Sequence, residues 1–204
     1  MNENALTTIR AEMPAYLSVD VETAGPTPDQ FALLSIGACT ISQPRQTFYV
    51  ELQPDRESFD PQAMAIQGMN LDALRRNGLP PEQALLKFEA WVQQVVPPPH
   101  KPIFVAFNAP FDWMFVHTYF MRYLKRNPFG HKALDIKAFY MGLSGQPWEK
   151  TTGSHLHRLF RQADGLTHNA LQDALDQAIL FENMLAMLER DKPNSFPVRE
   201  VSDE

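Results

Sequence analysis

Cysteine is almost absent: one residue, Cys39, in 204. An internal disulfide is therefore excluded, and no Cys/His ligand spacing of a structural zinc site is found. Cys39 falls inside the apolar stretch 33–41 and reads as a small buried hydrophobe. A cytoplasmic location is the expectation that goes with a lone thiol. No apolar run approaches the ~20 residues of a membrane span, so no contact with a membrane is expected. Residues 1–10 are polar and carry Glu3, without the basic-then-apolar layout of a secretory signal. Internal repeats and low-complexity stretches are missing as well. Positive charge is short: 18 Lys and Arg against 24 Asp and Glu, a net −6. That argues against a protein that coats nucleic acid by neutralising phosphates, but not against an enzyme that grips one chain end. Part of the negative excess can itself be a metal site, where bound cations reverse the local field.

A chain of this length can bury a core of its own, and 44% hydrophobic with 21% charged residues is the composition of a folded globular protein. Residues 1–190 read as a single domain, and 191–204, polar and proline-containing, as a loose tail. Short alternating apolar runs at 15–21, 33–42 and 47–52 are separated by Gly25-Pro26-Thr27-Pro28 and Gln43-Pro44-Arg45, the pattern of an antiparallel meander. Helices are expected at 61–66, 71–77 and 81–96, the last stopped by Pro97-Pro98-Pro99. Residues 103–107 are wholly apolar, as in a buried central strand. A helix over 111–126, a strand at 133–136 and short helices at 137–143 and 154–161 follow. The final helix, 170–189, carries Leu171, Leu175, Ala178, Phe181, Leu185 and Leu188 at three- and four-residue steps, one apolar stripe. Asn169, with Gln172 three residues on, forms a cap pairing at its start. The fold class is α/β, a mixed sheet of an antiparallel meander plus parallel strands, flanked by α-helices.

Four places carry acidic side chains of interest. Asp20 and Glu22 end the first strand and share a face, since strand side chains alternate. Two carboxylates so close raise each other's pKa unless a cation sits between them. Asp112 follows the apolar strand and the segment Asn108-Ala109-Pro110-Phe111, beyond a central strand end, where α/β sheets place ligands. As an isolated residue it also suits the first turn of a helix, where its charge meets the positive dipole end. His168 lies in the loop before the last helix and Asp173 in its first turns. The residues alone do not separate Asp173 from nearby Asp176.

Together, Asp20-x-Glu22-Thr23, Asn108-x-x-Phe111-Asp112 and His168-x-x-x-x-Asp173 resemble the three exonuclease motifs of the DEDD superfamily, in its histidine-containing (DEDDh) branch. That branch includes the proofreading epsilon subunit of bacterial DNA polymerase III, oligoribonuclease and ribonuclease T. Asp20-Val21-Glu22-Thr23-Ala24-Gly25, and the run Lys125-Arg126-Asn127-Pro128-Phe129 ahead of Asp135, are most similar to ribonuclease T. The resemblance implies an RNase H-like fold and a 3′-5′ exonuclease that releases nucleoside 5′-monophosphates from single-stranded RNA or DNA. It implies two divalent ions, Mg2+ or Mn2+, held by Asp20, Glu22, Asp112 and Asp173, with His168 as general base. It also implies substrate contacts from Thr23 and Ala24, which would line the terminal-nucleotide slot, from Asn108 by hydrogen bonding, and from Phe111 by stacking. At positions where ribonuclease T stacks phenylalanines on terminal bases, Phe111 and Phe129 match. Pro26 and Ile66 stand at two others and cannot stack, so its base discrimination is not carried over. A homodimer is the assembly the resemblance suggests.

The chemistry agrees with that set. Phosphodiester hydrolysis needs an activated water and relief of charge, which two hard cations ~3.5–4 Å apart supply. Mg2+ takes oxygen ligands, and four carboxylates formally neutralise two divalent ions. A near-neutral imidazole suits proton abstraction from water. Asp135 reads as a local helix cap and not a ligand. Basic residues cluster at Arg122, Lys125, Arg126 and Lys132, close to the expected site, and at His155, His157, Arg158 and Arg161; the first group reads either as a guide for a single-stranded tail or, equally, as a solvated helix face. The rival reading is a non-catalytic nucleic-acid-binding module that keeps the fold.

Overall fold

The apolar strand runs assemble into one five-stranded sheet in the order β3-β2-β1-β4-β5 in the computed structural model, which describes residues 15–160 and 168–190. The strands are β1 (Ala15–Thr23), β2 (Leu33–Thr40), β3 (Thr47–Glu51), β4 (Pro102–Ala106) and β5 (Ala133–Asp135). β1 pairs antiparallel with β2, and β2 with β3, as the expected meander. β4 lies parallel to β1, and β5 parallel to β4. Every residue of β2 is buried, which follows from its near-continuous apolar sequence and from helices on both faces of the sheet.

The helices are α1 (Pro61–Gln67), α2 (Leu71–Asn77), α3 (Pro81–Val95), α4 (Ala109–Tyr119), α5 (Ile136–Ser144), α6 (Gly153–Leu159) and α7 (Ala170–Arg190). The side-chain alternation of β1 divides the core. Leu17, Val19 and Val21 pack with Phe88 of α3 and Phe115 and Val116 of α4. The opposite face meets α5, α6 and α7, where Cys39, Val105, Tyr140, Leu156 and Phe181 form a second apolar cluster. Cys39 is fully buried there, and burial pushes its thiol up to about 12, so it is an inert filler.

Two expectations need correction. The helix expected over 111–126 starts at Ala109, because Pro110 suits a first turn. Its α-helical part ends at Tyr119, passes into a π-helical turn (Phe120–Leu124) and stops at Lys125, which is left-handed at φ 56°. The stripe on α7 is also rotated. Leu188 is exposed and Leu171 half-buried, while Ala170, Asp173, Ala174, Gln177, Ala178, Phe181 and Met184 face the protein. Small residues let the helix lie close to the sheet, and two of the inward positions are polar because they serve the site.

Gly37 makes that approach work. A Cβ at Gly37 would stand 2.1–2.2 Å from backbone atoms of Ala170 and Leu171, so only glycine admits the start of α7 at this point of β2. No helix among the described residues is long and apolar enough to cross a membrane. Residues 1–14, 161–167, with Arg161, and the tail expected at 191–204 lie outside the described residues. We predict that Gly37→Ala costs about 1–3 kcal/mol of stability through overpacking against backbone. A thermal melt should show a drop on the order of 5 °C, and an unshifted melt would remove Gly37 as the contact point.

Candidate active site

Asp20 and Glu22 stand on the α7 side of β1. The pairing shifts between Glu22, opposite Ser35, and Thr23, opposite Leu33, a bulge of the sort that re-aims side chains near the end of a strand. Across the sheet Asp20 pairs with Gly37, the residue on which Ala170 sits. The close seat of α7 therefore delivers Asp173, in its first turn, to the same spot. Ligand oxygens of Asp20, Glu22 and Asp173 all lie within 4.8 Å of one another. Asp176, one turn on, is only half-buried and accepts a hydrogen bond from Gln172 Nε2 at 3.0 Å. The structure thus separates the two aspartates that spacing left equivalent. Gln172 does not complete a reciprocal cap: its own N–H donates to Asn169 Oδ1 at 3.1 Å, but its side chain turns to Asp176.

Asp112 arrives from the end of β4. It is buried, in the first turn of α4, and its Oδ1 accepts the Val21 N–H at 3.1 Å. It is not a member of the tight triplet; one oxygen is held by the strand that carries the other two acids. The turn before it depends on Asn108, left-handed at φ 63°, which asparagine tolerates better than most residues. Asp135 fixes that turn: Oδ2 accepts the Ala109 N–H and Oδ1 the Ala138 N–H, each at 2.7 Å. It caps α5, as read, and also ties down the start of α4. Sequence reasoning missed Gln177. One turn beyond Asp173 and buried, it donates to Asp20 Oδ1 at 2.6 Å and accepts the Phe107 N–H at 3.0 Å. Its signal was a polar residue four positions after Asp173 on an inward face.

The acids strain against one another. Burial foremost, then the charges of Asp112, Glu22 and Asp173, push the Asp20 carboxyl well above its ordinary range, with the Gln177 hydrogen bond opposing. Burial and then Asp173 carry Glu22 from 4.5 to about 7. Asp112 is likewise raised, by burial first, against the hydrogen bonds of its own and the Val21 backbone.

His168 is exposed and left-handed at φ 52° in the turn before α7. Two clefts meet at this residue. The smaller, about 270 Å³, includes Glu22, Tyr49, Gln67, Met69 and Asn70. The larger, about 790 Å³, includes Phe107, Ser154, His157, Arg158 and Asp173. Asn108 is exposed and Phe111 half-buried, its ring 5.4 Å from that of Phe115. Thr23 and Ala24 are buried. The Thr23 hydroxyl donates to the Gly25 carbonyl, and Gln67 Nε2 donates to the Thr23 carbonyl, both at 2.8 Å. The Ala24 backbone is committed to Ala32 and Asp60.

Phe129 does not match the stacking role: it is buried against Phe104 and Phe88, with centroids 5.3 and 5.9 Å apart. Two members of the first basic group are engaged elsewhere. Arg122 lies ten residues beyond Asp112, roughly 15 Å along the helical run. Its guanidinium binds Asp55 and the Pro28 carbonyl, while Arg126 grips Glu89 through two hydrogen bonds of 2.8 and 2.6 Å. Those cations hold the fold together and do not face the acids.

Residues 15–185 match the family model described as a 3′-5′ exoribonuclease Rv2179c-like domain. The chain belongs to this family. The 3′-5′ DNA exonuclease Cap18 of Escherichia coli is 41% identical over 184 residues, covering 90% of this chain and 98% of Cap18. The nuclease domain of 3′hExo, a DEDDh family member bound to rAMP, superimposes with a TM-score of 0.73 at 15% identity, over 86% of this chain and 94% of that one. Escherichia coli Exonuclease I, in complex with a dT13 oligonucleotide, gives 0.66 at 17% identity, over 87% of this chain and 42% of its own. The fold is that of the RNase H-like DEDDh exonucleases, and the protein is a 3′-5′ exonuclease, a hydrolase.

The raised carboxyls set a pH dependence for the exonuclease without divalent ions. Folded-state values lie above unfolded ones, so the native state keeps protons that the unfolded chain releases between about 4.5 and 7 for Glu22. Its contribution is most favourable at the acid end and is lost as pH rises through that window. In chelator, the melting temperature should fall from pH 5 to pH 8, and a divalent ion at pH 8 should restore it. A melt that climbs with pH in chelator would contradict the buried repulsion.

Proposed function

We propose that this exonuclease is divalent-metal-dependent and works on single-stranded 3′ ends, taking DNA as its substrate. The observation that carries the reading is the convergence of three carboxylates from β1 and α7 within 4.8 Å, beside a fourth, buried Asp112. The donors fit hard cations: all are oxygens, and their repulsion is relieved only by protons or positive charge. Asp20, Glu22, Asp112 and Asp173 would hold two ions, Mg2+ or Mn2+. Bound there, such ions supply charge relief at the phosphate and a more acidic water.

The chain's own groups do the rest. Gln177 keeps Asp20 turned toward Asp173 and Glu22, and Asp135 holds the turn that presents Asp112. His168, exposed at the meeting of the clefts, accepts the proton of the attacking water as its oxygen bonds phosphorus; the P–O3′ bond breaks, and the leaving 3′ oxygen takes a proton from solvent to become the new 3′-hydroxyl of the shortened strand. The smaller cleft receives the 3′-terminal nucleoside. Thr23 shapes it by anchoring Gln67, and Ala24 by holding Asp60 at the start of α1, while Asn108 and Phe111 flank the phosphate beside Asp112. The acids and His168 come from one chain, so a homodimer would add nucleic-acid contacts and not catalytic groups. The lone buried thiol fits a cytoplasmic setting. The names of its relatives differ on the sugar, exoribonuclease for the family and DNA exonuclease for Cap18. The identity to Cap18 across nearly its full length favours DNA. Family membership and the complete acid set leave the non-catalytic alternative without support.

End-labelled single-stranded DNA and RNA, incubated with Mg2+ or Mn2+, test this. Nucleoside 5′-monophosphates should appear from DNA and vanish with chelator or with Asp112→Ala. His168→Ala should slow the reaction about 10²–10⁴-fold. The wild-type rate should decline as pH drops from 8 to 5. Hydrolysis indifferent to chelator sinks the metal proposal; a flat rate between pH 5 and 8 removes His168 as base; preference for RNA overturns the assignment to DNA.

A further inference from the structure

The larger cleft, on the α7 side of His168, has no part in that scheme, yet it shares Asp173 with the acid cluster. Its chemistry differs from that of the smaller cleft. Among the described residues lining the smaller one there is no lysine or arginine, and Glu22 and Glu51 are both present. The larger is lined by Ser154, His157 and Arg158 of α6 and by Phe107, with Asp173 and Asp176 of α7 as its acids. Arg158 is exposed, and its Nε donates to the Ser154 carbonyl at 3.2 Å; among the described residues its terminal amino groups have no partner. The buried Nδ1 of His157 has none either. Beyond Phe107, Lys137 Nζ lies 5.9 Å from the Phe107 ring centre and 4.3 Å from that of Trp148. Trp148 is 48% exposed. An aromatic, cationic edge therefore runs outward from the cleft.

We propose that this cleft binds the strand on the 5′ side of the scissile linkage, with Arg158 on the next phosphodiester and Phe107 and Trp148 offering ring faces to bases. The inference rests on the exonuclease reading and gives the strand a direction. A terminal nucleoside brings no phosphate besides the scissile one, so its cleft needs no cation. Each nucleotide on the other side brings one more negative charge, and the Arg158 guanidinium, its terminal amino groups without a partner among the described residues, lies on that side. Stacking on aromatic faces tolerates any base, as removal of successive nucleotides requires. The residues involved are not those of the three motifs, so the contact sets the length of strand gripped and not the chemistry.

Two substrates separate the clefts. The p-nitrophenyl ester of thymidine 5′-phosphate presents a terminal nucleoside and scissile phosphate with no strand behind it; a single-stranded DNA oligonucleotide presents all three. For Arg158→Ala, kcat/KM on the oligonucleotide should fall roughly tenfold relative to the ester, through KM, as expected for one lost charge-assisted hydrogen bond. The slope of log KM against log salt should lose about 0.7, one phosphate contact on a single strand. Trp148→Ala should lower the same ratio roughly fivefold by removing a stacking face. An unchanged ratio and salt slope in both variants, or an equal loss on both substrates, overturns the inference. A wild type inactive on both substrates with Mg2+ and Mn2+ instead fails the exonuclease reading beneath it.

Discussion

Buried carboxylates that repel one another are the constraint on which this structure turns. An acid taken out of water prefers to be neutral, and neighbouring acids strengthen that preference. Asp20, Glu22 and Asp112 accept both penalties at once. A fold does not gather such groups by packing; it must hold them against their own electrostatics. The means are visible: the Gln177 amide on Asp20, the Val21 N–H on Asp112, and Asp135 across the starts of α4 and α5. Gly37 opposite Asp20 lets α7 sit low enough for Asp173 to arrive. The partners of Asp20 and Asp112 are thus a neutral amide and a backbone N–H, where a cationic side chain would have made a stable, inert ion pair. A site held this way has an unmet demand for positive charge.

Much of this was legible in the sequence, for reasons that differ by element. The meander and the central strand announced themselves through apolar runs and turn residues, since alternation and burial leave a direct imprint. The acids were readable because their order and settings resembled a family, not because any spacing forced them together. What the chain could not disclose was contact between distant residues. Gln177 looked like one more polar residue on a helix until its amide met Asp20 and Phe107. Gly37 looked like an ordinary strand glycine until Ala170 occupied its missing Cβ. The stripe on α7 was read one step out of register because leucines draw attention, while the true contact is made by alanines.

Two expectations about substrate contacts meet the packing of the fold. Phe129 was matched through the resemblance to ribonuclease T, and Arg122 and Arg126 through their place after the second motif. Beyond α4 these side chains take other partners. There Phe129 fills space against Phe104, and the arginines meet Asp55 and Glu89. Of the later group, His157 and Arg158 of α6 line a cleft together with Asp173. Two clefts of unlike size meet at His168.

The central claim is that acids from β1, α4 and α7 converge to hold divalent cations. Diffraction at the manganese absorption edge from crystals grown with Mn2+ addresses it without any assay. The account predicts anomalous peaks within about 2.0–2.3 Å of carboxylate oxygens of Asp20, Glu22 and Asp173, with Asp112 joining the set. Well-ordered carboxylates with no anomalous peak among them, at saturating Mn2+ and neutral pH, would contradict it.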